Sequence, residues 1–442
     1  MAPRKGDSAP REKQEARGST SGFRSYPTDR DILLKSSHKW IEGKRSDDGA
    51  GAYWRVHDKL YDLTDFIQKH PGGRDWLLAT RGTDITEVFE SSHLTTLPHT
   101  LLPKYFVRNA HTPRNSPYTF HQDGFFKTFR RKVGPVLRRV GRGPTWGMVL
   151  IQDTLAVVFA SSMLAAAVSD FVSLAVVAGI FLSLTGNCSH NFVHQRDSWR
   201  MYYFDLTFLS SYEFRISHVL SHHAYPNTIY DYEISVLEPF WEFLPKPSKN
   251  LLQRYGCYVL DPLLLPFALY FEATKRLWLT LSGEISLRPE NLLPILELVL
   301  MALVAPSPAK ALRLWLVMHS VCSTLVVGLA LVGTHHHPDI YHEGDAMRED
   351  RDFGLCQLDA VRDRAEVNVN LLLVAISYGH HTLHHLLPTL DHSKLEHLYP
   401  AFLDTCRQFK VHFSFVSVWY MTRGKYRQLA NVTPSLTPNT IS

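Results

Sequence analysis

Four apolar stretches constrain the fold of this 442-residue chain more than any other feature. The first two, 146–167 and 171–184, are separated by only three residues. A second pair, 292–305 and 312–334, is joined by a proline-containing segment. A helix needs about 20 apolar residues to cross a bilayer core. The sequence therefore predicts two helical hairpins, which together form an all-α integral-membrane domain with four membrane helices.

The topology follows from these hairpins and from the charge pattern. Each hairpin returns the chain to its starting side, so the central loop 185–290 and both termini are predicted on one face. The segment 127–142 carries seven positive charges in sixteen residues, with apolar residues between them and an apolar stretch soon after. This pattern favours a cytoplasmic juxtamembrane segment over a nucleic-acid-binding one. The five cysteines lack CxxC spacing, which fits a reducing cytosolic face.

Histidine is over-represented, with 24 copies. Three clusters follow apolar stretches, with the spacings HxxxH, HxxxHH and HxxHH. Histidines three or four residues apart share one helix face, and imidazole binds iron, copper, zinc and nickel. The clusters contain eight candidate metal ligands: His190, His194, His218, His222, His223, His381, His384 and His385. Zinc takes about four ligands, so eight indicate a larger metal centre.

A different histidine motif lies near the N-terminus, within a stretch that has the texture of a small globular domain. His70 opens a His-Pro-Gly-Gly turn, in which proline and paired glycines would hold the imidazole rigidly. His93 follows a further predicted helix. Leu77, Ile85 and Phe89 lie between the two histidines and can line an apolar pocket. The N-terminal stretch before this domain lacks the apolar core of a secretory signal.

The His-Pro-Gly-Gly turn and the later histidine resemble the cytochrome b5 family, an α+β haem-binding fold. The resemblance implies that His70 and His93 are the two axial ligands of haem b. Two histidine ligands leave no open position on the iron, so such a haem carries electrons. The resemblance also implies an NADH-dependent cytochrome b5 reductase as electron donor.

The three histidine clusters and the interposed apolar pairs resemble the integral-membrane fatty acid desaturases and related hydroxylases, over about residues 115–410. The resemblance implies two non-haem iron ions held by the eight clustered histidines. It also implies one further ligand from the segment 333–345, where His337 is favoured ahead of His336 and His342, with His335 as the remaining candidate. The ligating histidines should donate their other ring N–H to a hydrogen-bond acceptor. Four carboxylates are candidate acceptors: Asp205, Glu213, Asp345 and Asp359.

The predicted domain order combines both resemblances. It comprises a disordered terminus (1–22), a cytochrome b5-like domain (23–110), a basic connector (111–145), a membrane desaturase-like domain (146–405) and a C-terminal tail (406–442). His319, inside the fourth apolar stretch, is predicted to be packed. His392 and His397 continue the third cluster at helical spacing and are predicted to lie on the surface.

The predicted function is desaturation of a lipid or acyl-CoA with O₂, using electrons from the chain's own haem. The family implies the endoplasmic reticulum, with both sites facing the cytosol, and no nucleic-acid partner. Two alternatives remain, a lipid hydroxylase and a membrane-tethered haem electron carrier with an inactive desaturase-like half. His381 stands where desaturases with a fused haem domain usually carry glutamine, so the position attacked on the substrate is not implied.

Overall fold

The computed structural model describes residues 19–438. The terminus predicted to be disordered lies outside the described residues, apart from 19–22. The N-terminal part contains a small antiparallel sheet in the order β1-β2-β3, flanked by four short helices. These elements are α1 (Ser37–Asp48), β1 (Trp54–Val56), β2 (Lys59–Tyr61), α2 (Arg74–Thr80), α3 (Thr86–Ser92), α4 (Leu97–Leu101) and β3 (Phe106–Asn109). This arrangement matches the predicted α+β domain.

The core of this domain forms between the sheet and the helix pair α2 and α3. Trp54 is completely buried, and its indole N–H donates to the carbonyl oxygen of Leu77, 3.1 Å away. Phe89 packs into the same apolar cluster from α3. The packing therefore fixes the relative positions of the turn at His70 and the end of α3 at His93.

The basic segment forms α5 (Phe125–Val140), an amphipathic helix between the two domains. Its apolar face buries Phe125, Phe126 and Phe129 completely. On its charged face, Lys127 Nζ lies 2.5 Å from Glu90 Oε2 of the haem-type domain. The connector therefore makes an interdomain contact in addition to preceding the first long apolar helix.

Three helices among residues 19–438 are long and apolar enough to span a membrane. They are α6 (Trp146–Ser169), α7 (Val172–Val193) and α14 (Pro308–Leu331), with 24, 22 and 24 residues. A Cβ on Gly179 would overlap the carbonyl oxygen of Met318. Glycine therefore lets α7 and α14 approach closely, as small residues do between membrane helices.

The prediction of a fourth membrane helix is wrong. The apolar stretch 292–305 forms α13 (Leu293–Val304), whose 12 residues extend about 18 Å, well short of the roughly 30 Å hydrocarbon core. Prolines flank the helix on both sides and limit its length. Its Glu297 Oε2 lies 2.9 Å from Nε2 of His319 in α14, and His319 is buried as predicted.

The second and third histidine clusters lie outside the long apolar helices. A π-helix, Arg215–His222, contains most of the second cluster, and α17 (His381–Leu386) carries the third. The other helices are α8 (Ser211–Phe214), α9 (Tyr232–Leu237), α10 (Leu251–Tyr255), α11 (Cys257–Leu264), α12 (Ala268–Leu281), α15 (Phe353–Asp359), α16 (Leu371–Ser377), α18 (His392–Leu395), α19 (Tyr399–Gln408) and α20 (Val418–Ala430).

Candidate haem pocket and metal centre

The two candidate haem ligands face each other across a gap. The ring centroids of His70 and His93 lie 6.3 Å apart. Each Nδ1 lies 2.9 Å from a backbone carbonyl oxygen, that of Gly73 for His70 and that of Phe89 for His93. Nδ1–H is therefore the donor in each ring, and each Nε2 keeps its lone pair. The gap accommodates two imidazole–metal bonds of about 2 Å each plus the ring radii, so these residues fit an axially ligated haem.

Burial keeps these two imidazoles neutral, as metal ligation requires. It lowers the pKa of His93 to about 4, with only partial opposition from the hydrogen bond to Phe89. Burial also lowers the pKa of His70, against which the Gly73 hydrogen bond and the charge of Asp197 act. Asp197 belongs to the loop after α7, so a carboxylate of the membrane domain influences the His70 imidazole.

Five of the clustered histidines form a first group: His190, His194, His218, His223 and His384. Their candidate ligand atoms all lie within 4.8 Å of one another. The Nε2 atom of His190 is 2.9 Å from that of His218 and 3.1 Å from that of His194. Every member is buried. Helix α7, the π-helix and α17 each contribute to this group, so it exists only in the assembled fold.

The π-helix explains how the second cluster divides its histidines. Its hydrogen bonds link residues five apart, and the amide of His223 donates to the carbonyl oxygen of His218 at 2.8 Å. His218 and His223 therefore face the first group together, and their Nε2 atoms are 3.1 Å apart. His222 points instead toward a second group. The HxxxHH spacing had indicated an ordinary α-helix, which would have paired His218 with His222.

The second group comprises His222, His335 and His385, with His381 beside it. The Nε2 atom of His335 lies 3.1 Å from that of His222 and 2.9 Å from that of His381. The structure thus brings all eight clustered histidines into two adjacent groups.

The further ligand favoured from the sequence does not lie in either group. His337 stacks on Tyr420 at 4.0 Å, and its Nδ1 accepts a hydrogen bond from the amide of Asp339. His335 occupies the second group in its place. His336 stacks on Phe243 at 3.6 Å. Spacing could not distinguish these neighbours, because all four candidates lie in an irregular loop after α14.

Hydrogen bonds from the opposite ring nitrogens orient several of these imidazoles. His218 Nδ1 lies 2.7 Å from Glu233 Oε1, and His222 Nδ1 lies 2.9 Å from Asp231 Oδ2. Burial opposes protonation of His222, but the carboxylates of Asp231 and Glu233 outweigh burial and raise its pKa to about 9. For His218 burial dominates, and its pKa is lowered. Fixing the outer nitrogen directs Nε2 toward the centre.

Uncharged groups orient the members that the carboxylates do not reach. His335 Nδ1 lies 2.8 Å from the carbonyl oxygen of Ala360, and His385 Nδ1 lies 2.9 Å from the amide oxygen of Gln357. The four carboxylates suggested from the sequence have other partners: Asp205 accepts from Ser211, Glu213 pairs with Arg276, Asp345 accepts from His342, and Asp359 pairs with Arg348.

His392 is the residue whose position sequence reasoning missed. It was predicted to lie on the surface, yet it is 1% exposed. Its Nε2 lies 3.2 Å from Nδ1 of His384 in the first group. Asp391, the preceding residue, accepts hydrogen bonds from Asn191 and Gln195 beside the first cluster. A dense polar layer around His392 therefore supports the first group, whereas His397 is exposed as predicted.

The donor set fits bound cations. Among residues 19–438, the Nε2 atoms of His384 and His385 are buried without a hydrogen-bond partner. A buried nitrogen lone pair without a partner is costly, and lone pairs that converge on one point repel each other. A metal ion in each group would satisfy them. Without cations, the nine buried imidazoles of the two groups would leave such lone pairs uncompensated in the core.

The two sites are connected by direct contacts. The guanidinium of Arg130 in α5 donates to the carbonyl oxygen of His93. The hydroxyl of Thr389, shortly after α17, donates to the carbonyl oxygen of Ser92 at 2.7 Å. Fold and geometry together define a membrane protein that joins a haem-type domain to a histidine-rich helical domain suited to metal binding.

Comparison with known families identifies both parts. The fatty acid desaturase model matches residues 169–417, and the cytochrome b5-like heme/steroid binding domain matches residues 38–111. The chain is 39% identical to the cytochrome b5-related protein of Drosophila melanogaster, over 93% of this chain and 95% of that protein. The chain therefore belongs to the fatty acid desaturase family and carries an N-terminal cytochrome b5-like domain, which confirms both resemblances.

More distant relatives have names that include an activity. The acyl-lipid (8-3)-desaturase B of Dictyostelium discoideum is 24% identical over 86% of this chain and 90% of that protein. The probable Delta(5) fatty acid desaturase C of the same organism is 22% identical over 88% of this chain and 93% of that protein. No solved structure gives a significant match.

Proposed function

We propose that the chain is a membrane-bound, O₂-dependent lipid desaturase that receives electrons through its own cytochrome b5-like domain. The observation that carries this proposal is the convergence of buried imidazoles from three helical segments and one loop on two adjacent points. A haem electron carrier that lacked a second metal centre would gain nothing from burying these groups.

The residues suited to hold the cofactors divide into three sets. His70 and His93 would hold haem b, which supplies electrons one at a time when bound. The five histidines of the first group would hold one iron ion. His222, His335, His381 and His385 would hold another. A pair of such ions supplies the O₂ chemistry that removes hydrogen from an unactivated methylene group.

The chain's own residues would contribute positioning and exclusion of water. Glu233, Asp231 and Gln357 accept hydrogen bonds from outer imidazole nitrogens and so fix the ring orientations. Nearly all candidate ligands have less than a tenth of their surface exposed, and this burial keeps bulk water from the centre. His381 adds a fourth imidazole to the second group, so this group would offer four nitrogen ligands to one iron ion.

Orientation and partners follow from the same proposal. The basic residues of α5, which directly precedes the first long apolar helix, support a cytosolic side for the metal centre. We infer an endoplasmic reticulum location, a lipid or acyl-CoA substrate and a cytochrome b5 reductase as electron donor.

A second candidate function is a membrane haem protein that transfers electrons but does not desaturate. The name of the Drosophila melanogaster relative mentions only cytochrome b5 and favours this alternative. It predicts haem without stoichiometric non-haem iron.

The test combines metal analysis with product analysis. Protein purified in detergent from iron-replete cells should contain about two non-haem irons per haem, and expression in yeast should yield lipids with new double bonds. His384→Ala should lower the non-haem iron by about one ion per chain and abolish the new double bonds, whereas His397→Ala, at an exposed histidine close by, should affect neither. Haem without non-haem iron would favour the electron carrier, and hydroxylated lipid would identify a hydroxylase.

A further inference from the structure

Asp197 places a carboxylate of the membrane domain against the turn that holds His70. Its amide nitrogen donates to the carbonyl oxygen of Gly72 at 3.3 Å. Gly73 adopts φ +115°, which favours glycine, and a Cβ there would overlap the Asp197 carboxylate. Glycine is thus required at this position for its backbone conformation and for the approach of the second domain.

Arg215 fixes this carboxylate from the opposite side. Its Nη1 lies 2.6 Å from Asp197 Oδ1, and the guanidinium side chain is only 4% exposed, against 50% for Asp197. Arg215 also donates to the carbonyl oxygens of Val193 and Gln195, which flank His194. Arg215 is the first residue of the π-helix that carries His218 and His222. One ion pair therefore contacts both the His70 turn and the backbone around the first metal group.

The same guanidinium also contacts the haem-type domain directly. It lies 4.5 Å from the centroid of the Trp76 ring on α2. Cation–π contact and ion pairing together hold the Arg215 side chain in one place. The Asp197 charge is consequently fixed relative to the His70 imidazole and does not move freely in solvent.

A fixed charge next to an axial ligand alters the balance between the two oxidation states of a haem. Ferric haem with two imidazole ligands carries one more positive charge than ferrous haem. A nearby carboxylate therefore stabilises the ferric form and lowers the reduction potential, whereas a nearby guanidinium does the opposite. Asp197 lies directly against the His70 turn, whereas Arg215 contacts the carboxylate from the opposite side. The carboxylate is therefore the nearer of the two charges to the His70 turn.

We propose that Asp197 is an interdomain positioning residue with two effects. Its carboxylate lowers the reduction potential of the haem, and its ion pair with Arg215 fixes the His70 turn to the π-helix that carries His218 and His222. A lower potential makes the ferrous haem a stronger reductant toward the neighbouring centre. This inference rests on the proposed haem ligation by His70 and His93, and it is independent of whether the chain desaturates lipids.

Spectroelectrochemical titration of the full-length protein in detergent tests the proposal. The Soret band reports the ferric-to-ferrous ratio, so no substrate turnover is needed. Asp197→Asn should shift the midpoint potential positively, since it removes the carboxylate and leaves the guanidinium unbalanced. Asp197→Glu should stay close to wild type. Arg215→Gln should shift the potential negatively, which gives an effect of opposite sign from the same ion pair.

Asp404→Asn is the matched control, because Asp404 is similarly exposed at 53% and pairs with Lys132 away from the His70 turn. It should leave the potential unchanged. If Asp197→Asn titrates at the same potential as wild type and this control, the proposal is overturned, even when Arg215→Gln fails to fold. A wild-type protein without a bis-imidazole Soret band would refute the haem ligation and this inference with it. Absence of double bonds in the lipids would refute only the desaturase function.

Discussion

The hydroxyl of Thr389 donates a 2.7 Å hydrogen bond to the carbonyl oxygen of Ser92. Ser92 directly precedes His93, the second candidate haem ligand, and Thr389 lies four residues after His385 of the second metal group. The ligand-bearing segments of the two sites therefore touch each other. Together with the contacts of Arg130 and Asp197, this bond holds the cytochrome b5-like domain in one orientation on the membrane domain.

Replacement of Thr389 by valine tests this contact. The isosteric change removes the hydroxyl and leaves the Ser92 carbonyl without that donor, which should cost about 1 kcal/mol. Thermal unfolding monitored at the Soret band should show a lower midpoint for Thr389→Val, whereas Thr389→Ser should resemble wild type. An equal midpoint for the valine and serine variants would show that the bond does not stabilise the interface.

His335 and His337 provide a sharp comparison, because they are two residues apart and only His335 lies in the second group. His335→Ala should lower non-haem iron by about one ion per chain, since three imidazoles would remain in that group. His337→Ala should retain the wild-type content, because this ring stacks on Tyr420 away from both groups. Inductively coupled plasma mass spectrometry on haem-normalised samples measures the difference. Iron loss in the His337 variant alone would support the ligand favoured by the sequence.

Local signals in the sequence predicted much of this architecture. The His-Pro-Gly-Gly turn and the later His93 indicated the cytochrome b5-like domain, and the histidine spacings indicated a metal centre. Three of the four apolar stretches were predicted to be membrane helices, and each forms a helix long and apolar enough to cross a membrane. Each of these signals lies within one segment, where periodicity and turn chemistry determine the conformation.

The features that escaped prediction depend on contacts between distant segments. The π-helix at Arg215–His222 divides the second cluster between two groups, and residue spacing alone does not reveal a local change from α-helix to π-helix. His392 is buried because it contacts Asn191 and His384. Asn191 is distant in the sequence, and His384 belongs to the preceding helix α17. The helix α13 is short because prolines end it, although its composition is strongly apolar.

His392 should act through His384, although it is not itself placed among the metal ligands. His392→Phe fills the same space but removes the ring nitrogen that contacts His384 Nδ1. Loss of such an outer partner typically lowers metal affinity about 10- to 100-fold. Competition with a chelator of known affinity should show easier iron removal from this variant. His397→Phe, at an exposed position on the same stretch, is the control, and equal resistance of both variants would argue against the role.

Glu90 should make a pH-dependent contribution to stability. Its carboxyl group is buried, which opposes ionisation, but hydrogen bonds from His57 and Lys127 and the charge of Lys127 outweigh burial and lower its pKa to about 2. The ordinary pKa of a glutamate side chain is 4.5, which we take for the unfolded chain. The folded pKa is therefore depressed, and the stabilisation is fully present above about pH 4.5. It is lost as the pH falls through 4.5 toward 2. A shift of this size corresponds to at most about 3 kcal/mol at neutral pH.

The Glu90→Gln variant tests this contribution because it removes the charge and retains the shape. Denaturant unfolding at pH 7 should show a loss of up to about 3 kcal/mol relative to wild type. At pH 3 the difference should shrink to less than half of that value, since the unfolded wild-type chain is then largely protonated. Asp404→Asn, at an exposed ion pair with Lys132, should show a much smaller difference at both pH values. A constant difference for Glu90→Gln between pH 7 and pH 3 would mean that packing, and not the carboxylate charge, joins α3 to the basic helix α5.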